Sequence, residues 1–227
     1  MNEAVKRRYR SPVREQAAQR TRAQIRDAAA RLFVRQGYAG TTMRQIAEEA
    51  NVSERTTYLV FPSKLDLLVE AIEVATTGDE LPIPLANRPE FQAALTEPDG
   101  KKALQAAISW SCTLFERSGP LVMAAYESAG ADEALRRAAM QGERARARDL
   151  SLVAKALHSH GALRPDLDVD QATDILLVWI SPQTHQILRR DRRRSLARYQ
   201  ETLLTFLSAR FSPARGRPAK RRRNRDF

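Results

Sequence analysis

Between Ser53 and Lys64 the chain carries side chains suited to reading a duplex polyanion. Arg55 offers a guanidinium fork that matches guanine O6 and N7 bidentately, and Thr56 can meet a base edge or a thymine methyl. Glu54 can accept from cytosine N4 or stabilise the helix start that it opens. The Tyr58 hydroxyl has the length to reach a phosphate. Lys64 falls where backbone N–H groups at a helix N-terminus also favour one. Arg44, a short distance upstream, can add a backbone contact. Phosphate contacts of this kind set register, and base contacts set sequence.

Two short helices joined by a tight turn must present these groups. Thr42 and Gln45 have capping-box spacing, so a helix is expected from Met43 with Ile46, Ala47 and Ala50 on its apolar side. Asn51 suits a left-handed or turn conformation, and Val52 plugs the corner. Ser53 is a strong N-cap for a second helix that opens with polar side chains. Phe61 closes that helix into a core and Pro62 stops it. Ser63 caps a further helix with Leu65, Leu68, Val69 and Ile72 at i, i+3, i+4, i+7. Upstream, Ile25, Ala28, Ala29, Leu32 and Phe33 form an amphipathic stripe ended by Gly37. The expected bundle buries Phe33, Ile46, Val52, Phe61 and Leu65 together.

Ala28 to Leu68 resembles the DNA-binding domain of the tetracycline-repressor (TetR) family of bacterial regulators. The resemblance rests on Ala28-Ala29, Leu32-Phe33, Gly37-Tyr38, Thr41-Thr42 and Ile46-Ala47. It continues through Val52-Ser53, Thr56, Tyr58, Phe61, Ser63-Lys64 and Leu67-Leu68. It implies a homodimer, a palindromic double-stranded DNA operator and a C-terminal domain that senses a small-molecule effector. It also implies that Thr42, Tyr58 and Lys64 hold phosphates. With Arg44, Ser53, Glu54, Arg55 and Thr56 these complete the candidate DNA-binding set. Two positions depart from the pattern: Val60 stands where members often carry His or Tyr, and Thr57 where an apolar residue is frequent.

Charge agrees with a nucleic-acid partner. The 227 residues carry a formal net charge of +11. Residues 1–77 hold 13 Lys/Arg against 9 Asp/Glu, residues 78–212 hold 18 against 17, and residues 213–227 hold 7 against 1. The surplus therefore sits at the two ends. Lys6, Arg7, Arg8, Arg10 and Arg14 suggest an arm reaching the minor groove. Arg215-Gly216-Arg217-Pro218 resembles the core of an AT-hook, although a plain basic tail explains it as well. No run approaches the roughly 18 apolar residues of a membrane span, and the N-terminus lacks the apolar core of a signal peptide. A single cysteine leaves no intramolecular disulfide, so the cytoplasm, with nucleoid association, is the expected location.

The expected fold is all-α. Its parts are an arm (1–17), a three-helix helix-turn-helix domain (18–75), a larger helical effector-binding and dimerisation domain (76–212), and a basic tail (213–227). Residues 76–100 read as a connection, and Lys101–Arg117 as a helix broken at Gly119-Pro120, with a short helix following to about Ser128. A long helix is expected from about Asp132 to His158. A helix capped by Asp168 is apolar nearly all round, and Pro182 interrupts it. With the last helix, Ser195–Phe211, it forms the expected dimer seam. Trp110, Phe115, Met123, Tyr126 and Trp179 are the candidates for lining a mostly apolar effector pocket. A ligand there would act as a lever on the fourth helix, through its differential affinity for two spacings of the DNA-binding domains.

Enzyme chemistry finds no foothold in the residues. There is no phosphate-binding glycine loop, nucleophile elbow or His-Glu-x-x-His. Asp166, Asp168 and Asp170 alternate like a calcium loop, but Gln171 and Leu177 stand where it needs Gly and Glu. His158 and His160 lack the partners of a metal site, and no cofactor is expected. The leading expectation is a sequence-specific transcriptional regulator, a repressor released by a small ligand. The alternative is an architectural protein that binds DNA without sequence preference through its basic tails.

Overall fold

The computed structural model describes residues 12–211, and among these there are helices and turns but no strand. The basic arm up to residue 11 and the tail with Arg215–Pro218 lie outside the described residues. In chain order the helices are α1 (Pro12–Gln36), α2 (Met43–Glu49), α3 (Glu54–Val60), α4 (Lys64–Thr77), α5 (Pro89–Thr96), α6 (Gly100–Ser128), α7 (Glu133–Ser159), α8 (Val169–Trp179), α9 (Pro182–His185) and α10 (Leu196–Phe211). No helix among the described residues is long and apolar enough to cross a membrane.

The chain forms two compact units that are not contiguous in sequence. Of the described residues, 12–81 join with Leu114–Gly142, and Pro82–Thr113 join with residues 143–211. A break after residue 75, as the linker composition suggests, accounts for only part of this grouping. The reason is burial: Leu121 and Ala125 of α6 and Leu135 of α7 enter the same apolar cluster as Ile25, Phe33, Ile46, Phe61 and Leu68. The helix-turn-helix bundle is thus closed by a pair of helix ends that lie far along the chain.

Two expectations need correction. Helix α1 begins at Pro12, so Arg14 and residues 12–17 are helical and not part of an extended arm. Proline is tolerated at a first helical position, and Glu15 in the first turn complements the helix dipole. Gly119-Pro120 does not break α6, which runs unbroken from Gly100 to Ser128. An interior proline costs about 3 kcal/mol, but Ser118, Leu121, Ala124 and Ala125 are all buried around it. Their burial holds the helix, and the Ser118 hydroxyl donates to the Leu114 carbonyl at 2.9 Å.

In the first unit α4 stops at Gly78, whose φ of 85° only glycine adopts cheaply. A Cβ there would collide with the Arg117 guanidinium, and Arg117 Nη2 itself donates to the Thr76 carbonyl at 2.8 Å. In the second unit, the Asp168 capping box starts α8. Arg146 Nη1 donates to the carbonyls of Leu177 and Ile180, both at 2.9 Å, which binds the end of α8 to α7. Ser181 caps α9, and a π-helical stretch, Gln186–Asp191, follows it. Tyr199, Leu203, Leu207 and Phe211 form the buried face of α10.

Candidate nucleic-acid interface

The turn between α2 and α3 is built as its residue types dictate. Gln45 N–H donates to Thr42 Oγ1 at 3.2 Å, and Thr42 N–H donates to Gln45 Oε1 at 2.9 Å, a closed capping box. Asn51 takes the left-handed conformation with φ 51°, which short amide side chains tolerate. Val52 N–H then returns to the Ala47 carbonyl at 3.0 Å. Ser53 Oγ accepts from Thr56 N–H at 3.0 Å and lies 2.7 Å from Thr56 Oγ1. Thr57, the polar residue at an apolar position, is fully buried, and its hydroxyl donates to the Ser53 carbonyl at 3.3 Å. A hydroxyl satisfied by its own helix costs little there.

Helix α3 therefore turns Thr57 inward and leaves its other side open. Glu54, Arg55, Tyr58 and Leu59 are exposed, and Thr56 is half-buried. Arg55 and Leu59 are four residues apart and share a face. At 76% exposure Leu59 is the most open large apolar side chain among the described residues. Sequence reasoning did not single it out, because a leucine in a helix normally signals core. Its place outside the Ile46, Val52, Phe61 pattern was the available signal.

Arg22 is a second residue that the sequence pattern does not reveal. Its Nη1 donates to the Val60 carbonyl at 3.1 Å, at the end of α3, and its guanidinium lies 4.3 Å from the Phe61 ring centre. Its Nε donates to Glu70 Oε1 at 2.8 Å, and Nη2 pairs with the other oxygen of the same carboxylate. One side chain thus ties α1 to the end of α3 and to α4. Gln24 Nε2 makes a parallel tie to the Ala50 carbonyl at 2.7 Å, at the end of α2. These tethers fix the pose of α3 on the bundle.

The phosphate candidates are placed differently from one another. Thr42 and Arg44 are exposed, and Arg44 Nε donates to Glu48 at 2.9 Å across one helical turn, a pair that solvent weakens. Lys64 is half-buried and turned into the chain. Its ammonium donates to the carbonyls of Tyr38 and Thr41 at 2.8 and 2.9 Å and stands 4.1 Å from the Tyr38 ring centre. Burial pushes its pKa down, against the opposing pull of Asp132. One proton of the ammonium remains for an outside acceptor. Lys64→Met, which keeps the stem and removes the donors, is expected to cost about 1 kcal/mol of stability. The urea midpoint reads this loss; an unchanged midpoint would free Lys64 from the structural role.

The effector candidates do not gather in one unit. Phe115, Met123 and Tyr126 belong to the stretch grouped with the first unit, and Trp110 and Trp179 to the second. Trp110 packs on Phe91 and Trp179 on Phe206, with ring centres 4.9 and 3.8 Å apart. A cleft of about 690 Å³ in the first unit is lined instead by Arg22, Phe61, Leu65, Glu70, Glu73 and Arg137 among others. Among the described residues no cluster of His, Cys, Asp and Glu has the form of a metal site.

Residues 25–71 match the family of bacterial regulatory proteins named tetR, and they cover the capped, inward-Thr57, outward-Arg55 unit described above. The helix-turn-helix segment is that of the tetR family. It is 50% identical over 52 residues to YvkB, an uncharacterized HTH-type transcriptional regulator of Bacillus subtilis (strain 168). That match takes in 23% of this chain and 27% of YvkB, so the chain spans about a quarter of the length of its curated relative. The likeness in fold extends further. A transcriptional regulator from Saccharomonospora viridis, solved with choline, superposes with a TM-score of 0.66 at 20% identity, over 86% of this chain and all of that one. FadR from Bacillus subtilis, solved with stearoyl-CoA, gives 0.66 at 20% identity over 82% and 97%. At that identity the likeness shows a shared fold, and it reaches into the second unit.

Proposed function

We propose that this tetR-family chain is a sequence-specific transcriptional regulator. It binds a palindromic operator as a homodimer and is released from it by a small, mostly apolar ligand. The observation that carries the reading is the outward face of α3: Arg55, Tyr58 and Leu59 are exposed on a helix whose inward residues Thr57 and Phe61 are buried. Among the described residues such a face has no packing duty, and its donors and apolar surface match base edges. Phosphates go to Thr42, Arg44 and Tyr58, with Lys64 contributing its remaining proton; Glu54, Arg55 and Thr56 read bases, and Ser53 holds the helix start. The reading places the chain among regulators rather than enzymes, acting in the cytoplasm on the nucleoid.

Dimerisation supplies the second recognition helix, about 34–36 Å away along one side of B-DNA. Val178, Ile187 and Phe206 are exposed apolar residues of the second unit, and they are the surface we assign to the other copy. The two relatives that hold stearoyl-CoA and choline support a small organic effector. Trp110 and Trp179 remain proposed lining residues within the second unit, and Phe115, Met123 and Tyr126 within the first.

Selection of bound sequences from random duplex DNA, followed by competition against unselected DNA, tests the function. A specificity ratio of about 10³ or more is expected; binding of all duplexes alike would return the architectural alternative. The selected duplex also tests Leu59. Against a thymine methyl, that side chain should contribute about 0.8 kcal/mol, close to fourfold in affinity. Replacing each thymine of a half-site by deoxyuridine should reveal one position where the wild type loses that factor and Leu59→Ala loses nothing. Equal losses in both proteins would remove Leu59 from the readout.

A further inference from the structure

Residues 78–212 are close to neutral as a whole, yet five arginines crowd into six residues, Arg189-Arg190-Asp191-Arg192-Arg193-Arg194. They sit where the π-helical stretch ends and before α10 begins. Arg190, Arg192, Arg193 and Arg194 are exposed, and Arg198 follows in the first turn of α10. The acids within this stretch, Asp191 and Glu201, are outnumbered: the Asp191 carboxylate accepts from Gln186 Nε2 at 3.0 Å, and Glu201 pairs with Arg198. Like charges this close repel one another unless an outside anion lies among them.

The backbone provides an independent observation. Arg193 adopts φ 51°, a left-handed conformation that costs a long side chain free energy and is normally left to glycine or asparagine. The turn is held in that shape from within. Arg192 N–H donates to the Ile187 carbonyl at 3.0 Å and Arg194 N–H to the Leu188 carbonyl at 3.1 Å. Arg189 Nη1 donates to the Arg194 carbonyl at 2.5 Å. Tyr199, buried in the first full turn of α10, anchors the following segment. The run is therefore a held loop, unlike a charged tail, and it leaves Arg192, Arg193 and Arg194 exposed. Guanidinium forks fit phosphate oxygens, and a row of them fits a row of phosphates.

We propose that the Arg189–Arg194 turn is a second DNA-contacting surface, separate from the helix-turn-helix, that binds duplex phosphates without reading sequence. The proposal rests on the reading of the chain as a DNA-binding regulator. Of the polyanions that would suit the turn, duplex DNA is favoured because the other unit of the same molecule already brings it to hand. A tethered second contact gains from that effective concentration.

The test uses the full chain and the duplex it selects from random DNA, with affinity measured across a salt series. Arg192, Arg193 and Arg194 are changed together to Gln in one variant and to Lys in another. Each phosphate no longer neutralised should lower the magnitude of the log–log salt slope by about 0.9. The Gln variant is therefore expected to flatten the slope by about 3 units for one engaged turn, with its base preferences unchanged. The Lys variant, which keeps the charge, should retain most of the slope, whereas a variant that merely disturbed the fold would not be rescued by charge. A Gln variant with the wild-type slope overturns the proposal while leaving the regulator reading intact. Arginine-dependent capture on phosphatidylglycerol vesicles with an unchanged DNA slope overturns it in favour of a lipid surface. A wild-type chain that binds no duplex at low salt overturns both readings together.

Discussion

Phe61→Ala is expected to lower stability by about 3–5 kcal/mol and to abolish specific DNA binding at 37 °C. Phe61 is 1% exposed and sits in the cluster with Phe33, Ile46 and Leu68. Truncating a fully buried aromatic removes its transfer free energy and leaves a cavity that a close-packed bundle fills only in part. Two further losses add to this. The Arg22 guanidinium loses the ring it stands over, 4.3 Å from its centre, worth about 0.5–1 kcal/mol. The turn from α3 through extended Phe61 to Pro62 loses its anchor, so the pose of the recognition helix loosens even before the bundle melts. For a chain of this size each kcal/mol moves Tm by about 2–4 °C, so a fall of about 6–20 °C is expected by circular dichroism. Tyr58→Ala is the control: it lies three residues away and is half open to solvent, and its Tm should move by less than about 2 °C. A Phe61→Ala chain that melts with the wild type would place this ring outside the core.

The same contrast explains what the sequence could and could not disclose. Caps are local, so Thr42 with Gln45, Ser53, Ser63 and Asp168 could be read from four-residue patterns, and the helices start where those residues stand. The inward set Phe33, Ile46 and Phe61 was legible because three helix stripes with one partner surface leave little choice. Long-range ties were not. Arg22 meets Val60 and Glu70 across 38 and 48 residues, and nothing in the α1 periodicity marks it. The joining of residues 114–142 to the first unit depends on Leu121, Ala125 and Leu135 finding that cluster, a fact of packing and not of local pattern. Pro120 misleads for the same reason, since the burial around it outweighs its local cost. Lys64 was legible as a cation at a helix start, but not as a donor to two carbonyls behind it. The arginine turn vanished in a charge sum of 18 against 17, because a domain total conceals where its charges lie.

Arg55→Ala should act in the opposite way to Phe61→Ala, with no loss of stability and a large loss of selectivity. The Arg55 side chain is exposed and lies outside the capping network of Ser53 and Thr56, so truncation leaves the bundle untouched. In the major groove its fork would be matched to the N7 and O6 of one guanine. Losing a good bidentate pair costs about 1–3 kcal/mol of discrimination, or about 5- to 150-fold in affinity for the preferred base. Because the contact is to a base, the loss should fall on one position of each half-site. Sequences that already carry another base there should bind the variant and the wild type alike. Selection from random DNA with the variant should return the same operator relaxed at that position, with its salt slope little changed. Lys64→Met supplies the comparison, since a missing phosphate donor weakens every duplex in the same proportion. If Arg55→Ala instead weakened all sequences equally and flattened the slope, the guanidinium would be holding phosphate. Sequence readout would then fall to Thr56, Glu54 and the exposed Leu59 that shares its face.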